Sequence, residues 1–294
     1  MIGYLLAIGA AAIWSAVALS ATRIVRYFGS YNYNLLRLLG IIVFFFPYIY
    51  INWQSIYFDQ SIFTAIVLSS IIGIIIGDTF LFICLKRLGP RRQALLFSMQ
   101  IPFTIILAKI FLQTLPSLIE LIGCSLIFLG IIIAIQFNRN IPDDDLENIQ
   151  GNKYTGLFAG IGLALCQSIG IILMKPALVS TDPIVVSYLR VIVAAIIMLG
   201  SLFFIKNNQL WEKMKDTKKT VFSIFLGFMG MGVGMTMLII ALKNGDPGVI
   251  STLSSTMPIM IIPILWIVTK NYAGHLAVVG ASLTCLGAGI IFLN

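Results

Sequence analysis

Charged residues are scarce in this chain. Of its 294 residues, 10% are Asp, Glu, Lys or Arg and 59% are hydrophobic. An ordinary soluble domain carries roughly 25% charged residues, so this chain has too few to cover a soluble surface. The composition therefore predicts an integral membrane protein.

Groups suited to catalysis or metal binding are also few. The single histidine, His275, has no acidic or cysteine cluster near it in the sequence, and there is no Walker loop for a nucleotide. The cysteines form no CxxC pair and lie inside apolar runs, where free thiols pack as small hydrophobic groups. They are Cys84, Cys124, Cys166 and Cys285. These absences predict a protein that is not an enzyme and that uses no metal or cofactor.

Long apolar runs are what the sequence has in abundance. A membrane-spanning helix needs about 20 apolar residues, and ten runs approach that length. Their limits are 3–21, 33–51, 62–85, 92–112, 117–137, 154–174, 183–205, 220–242, 247–269 and 275–293. We therefore predict an all-α, multi-pass protein of the cell membrane with ten transmembrane helices.

The two halves of the chain repeat one another at offsets of 153 to 157 positions. The pairs include Ser15 with Ser168, Arg37 with Arg190, Gly73 with Gly230 and Pro102 with Pro258; we call such pairs matching residues. Five helices per half is an odd number, so the halves would cross the membrane in opposite senses. The sequence thus predicts inverted five-helix repeats at 1–140 and 153–294, joined by an acidic linker at 141–152. Inverted repeats are typical of secondary transporters, which bind substrate near the bilayer midplane between the repeats.

Two matching stretches carry a resemblance to a known family. They read CLKRLGPRRQALLFSMQIPF and ALKNGDPGVISTLSSTMPIM, and are followed by IGCSLIFLG and VGASLTCLG. They resemble the two repeats of EamA-type members of the drug/metabolite transporter superfamily. The resemblance covers nearly the whole chain and implies a transporter, in a family that includes exporters of amino acids and other polar metabolites. Such proteins often carry an acid between the fourth and fifth helices of each repeat. Here Gln113-Thr114 and Lys270-Asn271 stand there, so no role for that acid is carried over.

Asp78 is the strongest candidate for a functional residue. A carboxylate inside an apolar run is costly and normally faces a protein interior or a water-filled cavity. Its matching residue is Met235, so the fold does not need the acid twice. Gln100 lies at a similar depth on the next predicted helix, and we expect it beside Asp78. Such a site suits a substrate amine or a transported proton. The alternative is a structural hydrogen bond, or a salt bridge to Arg87 or Arg91.

Other candidates lie near the predicted midplane. Trp14 falls near the centre of the first predicted helix, where it either walls a cavity or fills space, and Gln167 is its matching residue. Pro102 and Pro258 are predicted to kink their helices. The hydroxyl groups before them either satisfy freed carbonyls or bind substrate. The predicted substrate-binding residues are Asp78, Gln100, Trp14, Gln167, Ser255, Thr256 and Ser98.

The remaining membrane-embedded cations have structural interpretations. Arg37 and Arg190 match, and this symmetry favours a structural task, such as binding a helix end or a lipid phosphate, over substrate binding. Lys109 and Lys175 lie toward helix ends and are predicted to snorkel to the interface, the alternative being attraction of anionic cargo.

The formal net charge of +8 does not indicate nucleic acid binding, because the basic residues lie in short loops, as in loops that face anionic lipid. Most of these residues follow odd-numbered predicted helices, which predicts that those loops are cytoplasmic and both termini external. The family resemblance implies cytoplasmic termini instead.

The sequence as a whole predicts a secondary active transporter, more specifically an exporter of a small polar metabolite such as an amino acid or amine. It would work by alternating access, with proton coupling as one option. The alternative is a translocase of a lipid or lipid-linked headgroup with the same fold, and a channel comes third. The expected partners are a small-molecule substrate, the lipid bilayer and protons, with no nucleic acid; the chain would be a monomer or a homodimer.

Overall fold

The computed structural model describes residues 2–52, 59–136, 149–205, 209–269 and 275–293. Every regular element in these ranges is a helix, which confirms the predicted all-α class. The long helical segments are α1 (Ile2–Phe28), α2 (Ser30–Asn52), α3 (Gln60–Leu88), α4 (Pro90–Leu112), α5 (Leu118–Gln136), α6 (Lys153–Met174), α7 (Pro183–Ile205), α8 (Thr217–Asn244), α9 (247–269) and α10 (His275–Leu293). Short helices at Ala177–Ser180 and Gln209–Met214 lie in the connections.

Seven of the described helices are long and apolar enough to cross a membrane: α1, α2, α3, α4, α6, α7 and α8. The apolar parts of α5 and α10 are shorter, at Leu118–Ile133 and Val279–Leu293. A turn at Ser255 and Thr256 divides α9. Many large apolar side chains point outward from the bundle, as expected of helices that face lipid; Val43, Phe44, Phe46 and Tyr50 on α2 are examples.

Local sequence sets several helix ends. Pro90 and Pro247 stand at the first helical positions of α4 and α9, where the missing N–H leaves no bond unmade. Asp246 then caps α9, with its Oδ1 accepting from the Gly248 N–H at 2.8 Å. Gly89 separates α3 from α4 with a φ of 82°, which a residue with a Cβ rarely adopts.

Both α3 and α8 contain a π-helical segment. These segments are Ser70–Gly77 and Phe228–Met235, and they enclose the matching glycines Gly73 and Gly230. A π turn bonds i to i+5 and interrupts the regular α ladder, and such turns occur often at functional sites. The interruption leaves main-chain carbonyls that side chains from other helices can reach.

Breaks in α4 and α9 precede the two prolines at which kinks are predicted. In α4 the break lies at Met99, before Pro102, and in α9 it lies at Ser255 and Thr256, before Pro258. A proline lacks an N–H and its ring crowds the preceding turn, so these positions account for the interruptions.

The halves of the chain interlock through their first helices. Helix α1 packs mainly against α8 and α9, whereas α6 packs mainly against α3 and α4. Helices α5 and α10 also share an extensive contact. At that crossing the backbones nearly touch, since a Cβ added to Gly287 would lie 2.6 Å from the Gly123 carbonyl oxygen. Small residues permit this close approach. The hydrophobic effect does not drive helices together within lipid, so close packing of this kind stabilises their association instead.

Basic groups gather at one end of the bundle. Arg87, in the last turn of α3, donates to the Gln150 carbonyl at 3.4 Å, and Lys213, before α8, donates to the Tyr27 carbonyl at 2.7 Å. The first contact joins the α3–α4 turn to the segment before α6, and the second joins the α7–α8 connection to the end of α1. Of the predicted linker at 141–152, only residues 149–152 lie in the described ranges, and Lys270-Asn271 lie outside them.

Candidate substrate cavity

A cavity lies at the centre of the bundle, walled by side chains from both halves. The volume open to the centres of water molecules in this cavity is about 80 Å³. A single water needs roughly 10–15 Å³ by this measure, so the space admits several waters or a small molecule. Its charged wall holds Arg37, Asp78 and Arg190, and its apolar wall includes Trp14 and Phe97.

Asp78 is ionically paired inside this cavity with Arg37 of α2. The guanidinium Nη2 of Arg37 donates to Asp78 Oδ2, and the two residues are 7% and 6% exposed. Gln167 of α6 donates from Nε2 to the other carboxylate oxygen at 2.8 Å. The face of the Phe82 ring lies 4.7 Å from Arg37 Cζ, a cation–π contact. Burial of an acid and a base is tolerated here because each has its partner.

Asn34 holds Arg37 in position. Its Oδ1 accepts from Arg37 Nε at 3.0 Å and from Nη2 at 2.9 Å. Its Nδ2 donates to the Ile74 carbonyl at 3.1 Å, within the π segment of α3, and to Thr79 Oγ1 at 3.2 Å. Asn34, Arg37, Asp78 and Gln167 therefore form one network across α2, α3 and α6.

Arg190 lines the same cavity, but the N–H groups of its guanidinium have fewer and weaker hydrogen-bond partners than those of Arg37. It is 1% exposed; Nη2 donates to the Ser69 carbonyl at 3.1 Å, and Nη1 contacts Met174 Sδ at 3.2 Å. Its Nε is buried and has no hydrogen-bond partner among the described residues. No carboxylate in the described ranges forms a salt bridge with it. The buried Oε1 of Gln93, also on the cavity wall, is likewise without a hydrogen-bond partner in those ranges.

The π segments of α3 and α8 are bound by matching residues, whereas α4 has a further π segment at Ala108–Leu112. Gln167 donates from Nε2 to the Gly73 carbonyl at 3.3 Å, and Trp14 donates from Nε1 to the Gly230 carbonyl at 2.7 Å. The donors match at an offset of 153 and the acceptors at 157. Each half thus offers an interrupted helix to the first helix of the other half.

Comparisons with known proteins agree with this architecture. The sequence matches the EamA-like transporter family over residues 1–136 and again over 154–293. The chain belongs to the EamA-like transporter family.

A crystal structure described only as that of a protein superimposes on this EamA-type chain with a TM-score of 0.72 at 15% sequence identity. The alignment covers 99% of this chain and 96% of the other. At that identity the likeness shows the fold alone. No curated protein matches the sequence. Membership places the chain in the drug/metabolite transporter superfamily, as predicted from its two matching stretches, and makes it a multi-pass membrane transporter.

Three of the predicted substrate-binding residues of this EamA-type protein line the cavity: Asp78, Trp14 and Gln167. The structure does not bring Gln100 to Asp78, as expected from helix depth. Gln100 Nε2 instead donates to Ser255 Oγ at 2.6 Å, away from the cavity wall.

The remaining predicted hydroxyls serve the backbone. Ser98 Oγ donates to the Leu95 carbonyl at 2.6 Å, Thr256 Oγ1 donates to the Leu253 carbonyl at 2.8 Å, and Ser255 Oγ donates to the Ser251 carbonyl at 2.7 Å. These bonds lie beside the helix breaks, as in the alternative interpretation that hydroxyls satisfy local carbonyls.

Matching serines on α1 and α6 bind the same two broken helices. Ser15 Oγ donates to the Met257 carbonyl at 2.9 Å, just before Pro258. Ser168 Oγ donates to the Gln100 carbonyl at 3.2 Å, just before Pro102. Each first helix therefore contacts both the π segment and the proline break of the other half.

The two membrane-embedded lysines differ. Lys109 is exposed on α4, as a snorkelling side chain would be. Lys175 is only partly exposed and donates from Nζ to the carbonyls of Leu242 and Gly245, at the end of α8. A cation at a helix C-terminus meets the unpaired carbonyls and the negative end of the dipole.

Sequence reasoning did not place Arg37, Arg190 and Gln93 on the cavity wall, or Asn34 beside Arg37. Their symmetry made the arginines look structural, although opposite charges at membrane depth commonly pair. That rule could have linked Arg37 to Asp78, instead of the salt bridge to Arg87 or Arg91 that was the alternative. In the described ranges, no group of three or more His, Cys, Asp or Glu side chains could hold a metal ion.

Proposed function

We propose that this chain is a secondary active transporter that exports a small polar metabolite, such as an amino acid or amine, by alternating access. In this proposal it has ten transmembrane helices in two inverted five-helix repeats, at 1–140 and 153–294, joined by the linker at 141–152. The observation that carries the proposal is the central cavity, which is walled by both halves and contains the buried Arg37–Asp78 pair. Polar groups at membrane depth are costly and therefore mark substrate or ion pathways.

The exchanged contacts of α1 and α6 support alternating access. Matching donors, Trp14 and Gln167, hold matching carbonyls across the two halves. Two nearly equivalent interfaces allow one half to rock against the other around a fixed site, the movement that inverted repeats provide. Positive-inside reasoning assigns the basic end of the bundle to the cytoplasm.

Proton coupling at Asp78 is the second part of the proposal. A proton or a cationic cargo competes for Asp78 only when the carboxylate separates from Arg37, so the ion pair would have to open during the cycle. The lipid translocase finds less support here, because Asp78 is 6% exposed and faces the cavity, whereas a headgroup would need a lateral opening.

Uptake into proteoliposomes tests the function. We expect purified protein to accumulate a labelled amino acid or amine above protein-free liposomes, with competition by excess unlabelled cargo. Replacing Gln167→Leu should lower uptake at equal reconstitution, because the change removes a donor to Asp78. A pH gradient should change the rate if protons are coupled. Uptake of no polar metabolite, with scrambling of labelled lipid instead, would favour the translocase.

A further inference from the structure

The charged wall of the cavity carries a surplus of one positive charge. It contains two arginines, Arg37 and Arg190, and one carboxylate, Asp78. Asp78 is committed to Arg37 and Gln167. A guanidinium remains charged under all ordinary conditions. Asp78 attracts Arg190 only at longer range, and no salt bridge of Arg190 lies within the described ranges.

Arg190 is an expensive group to leave in this state. An ion taken out of water without a partner costs several kcal/mol. The Ser69 carbonyl and the Met174 sulfur are neutral acceptors, and Nε has no partner among the described residues. Neutral acceptors satisfy donors without cancelling the charge. A guanidinium is best compensated by an anion that it binds through two parallel N–H bonds, such as a carboxylate.

The helix opposite leaves space for this guanidinium. A Cβ added to Gly73 would lie 2.9 Å from Arg190 Nη2, so an alanine there would press on the charged group. Gly73 belongs to the π segment that bears Asp78 at its end. The glycine thus permits Arg190 to reach the cavity wall rather than merely packing two helices together.

The rest of the cavity wall is mainly apolar. Trp14 and Phe97 meet edge to face with ring centroids 6.0 Å apart, and Met231, Met235 and Met257 of the second half complete this side. An occupant therefore has one charged end and an apolar body. Phosphate monoesters carry a charge of about −1.5 to −2 and three acceptor oxygens, which a single spare guanidinium does not neutralise.

We infer that Arg190 binds the carboxylate of the cargo, and that the transported compounds are small organic monocarboxylates with an apolar body. This inference rests on the proposed function and narrows its substrate class, because it excludes simple amines. The buried Gln93 Oε1 offers an acceptor for a second polar group, such as an amino or hydroxyl group on the same molecule.

Ligand binding to the purified protein tests the inference without requiring transport. The probes are 3-phenylpropionate, the neutral isostere 3-phenylpropanamide, the cation phenethylamine and inorganic phosphate, each titrated while the melting temperature and intrinsic tryptophan fluorescence are followed. We expect 3-phenylpropionate alone to raise the melting temperature and to bind saturably. Equal binding of the amide, or preferential binding of the amine, would overturn the inference.

Three variants locate the charge that matters. Arg190→Gln should weaken carboxylate binding roughly tenfold to hundredfold, the usual scale for a charge-assisted bond. Arg190→Lys should recover part of the affinity, because an ammonium keeps the charge but not the fork. Lys109→Gln removes an exposed cation outside the cavity and should bind as the wild type does. Full affinity in Arg190→Gln would refute the assignment.

A fourth variant covers the case in which Arg190→Gln does not fold. Met235 matches Asp78 and lines the cavity with Arg190, so Met235→Asp adds a second carboxylate to the cavity wall to compete with cargo for Arg190. Carboxylate binding should then fall at least tenfold with Arg190 intact, and unchanged binding would contradict the inference. If a cargo is transported but carboxylates do not bind, the inference fails alone. If carboxylates bind but nothing is transported, the proposed function fails, while the assignment of Arg190 as a carboxylate-binding residue stands.

Discussion

The two matching arginines have different surroundings in the two halves of the chain. Arg37 has Asn34, Asp78 and the Phe82 ring around its guanidinium, whereas Arg190 has a carbonyl and a sulfur. Some contacts recur in both halves, since the π segments of α3 and α8 and the donors that bind them lie at matching positions. These recurring contacts therefore surround a site whose ion pair does not recur. The asymmetry comes from a few side chains, chiefly Asp78 against Met235.

The largest effect should come from breaking the ion pair. Asp78→Asn leaves Arg37 buried without an anion and should lower the free energy of unfolding by about 3–5 kcal/mol. Arg190→Met should cost much less, because the charge that it removes has no anionic partner in the described structure. Thermal unfolding of the detergent-solubilised variants measures both effects.

A double variant checks the cause. Asp78→Asn combined with Arg37→Met removes both charges and should recover part of the stability lost in Asp78→Asn alone. If the double variant loses as much stability as Asp78→Asn and Arg37→Met lose when their separate losses are added, the ion pair is not the reason for the loss.

The second test concerns a place where the halves are alike. Gly130 and Gly287 match, and a Cβ on either would meet a backbone carbonyl of the facing helix at 2.6 Å. Gly130→Val and Gly287→Val should each destabilise the protein by about 1–3 kcal/mol, because the α5–α10 crossing is overpacked. Gly200→Val is the matched control, since nothing lies within 4 Å of a Cβ there. Clearly unequal losses of stability in the two variants would show that the two glycines do not contribute equally to the α5–α10 crossing.

The third test compares the two donors to the π segments. Trp14→Phe keeps the ring and removes the bond to the Gly230 carbonyl, so it should cost about 0.6–1.7 kcal/mol, the range for interhelical bonds in membranes. Gln167→Met should cost a similar amount and should lower uptake more, because Gln167 also supports Asp78. Measured melting temperatures and uptake rates separate the two contributions. Equal uptake by both variants would show that the bond from Gln167 to Asp78 adds nothing to transport.

The smallest effect is expected from the lysines. Lys175→Met removes the cation that binds the carbonyls at the end of α8 and should lower the free energy of unfolding by about 0.3–1 kcal/mol. Lys109→Met, on the exposed face of α4, should leave the free energy of unfolding unchanged. Melting temperatures of the two variants in the same detergent decide this. A loss in Lys109→Met as large as that in Lys175→Met would show that capping is not the cause.

Much of the helical architecture could be predicted from the sequence. Each of the ten apolar runs overlaps a described helix, because apolar length determines where a chain can cross lipid. Some ends lie further out; α1 was predicted to stop at residue 21 and continues to Phe28. Polar residues such as Arg23 and Arg26 lower the local hydropathy there without ending the helix. The π segments could not be predicted, because the sequence SIIGIIIG has no proline or charge that marks them.

The site was less accessible to sequence reasoning. Asp78 stood out because a carboxylate is conspicuous in an apolar run, and Trp14 and Gln167 because they match near the midplane. Gln100 was expected beside Asp78 because depth along a helix can be counted from the sequence. The direction in which a side chain points cannot be counted across a helix break such as that at Met99. The pairing of Asp78 with Arg37 depends on which helices are neighbours, and a single sequence does not give that information.

The π segments of α3 and α8 also affect how this chain tolerates changes in length. Each α-helical residue turns the helix by about 100°, so deleting one residue from a regular stretch rotates every later side chain away from its partner. A π turn holds a surplus residue relative to the α ladder. A deletion within Ser70–Gly77 could therefore be absorbed by closing the wide turn, with Asp78 still facing Arg37, although Gln167 would lose its acceptor at the Gly73 carbonyl. Gaps in alignments with distant relatives belong in these two segments rather than beside them.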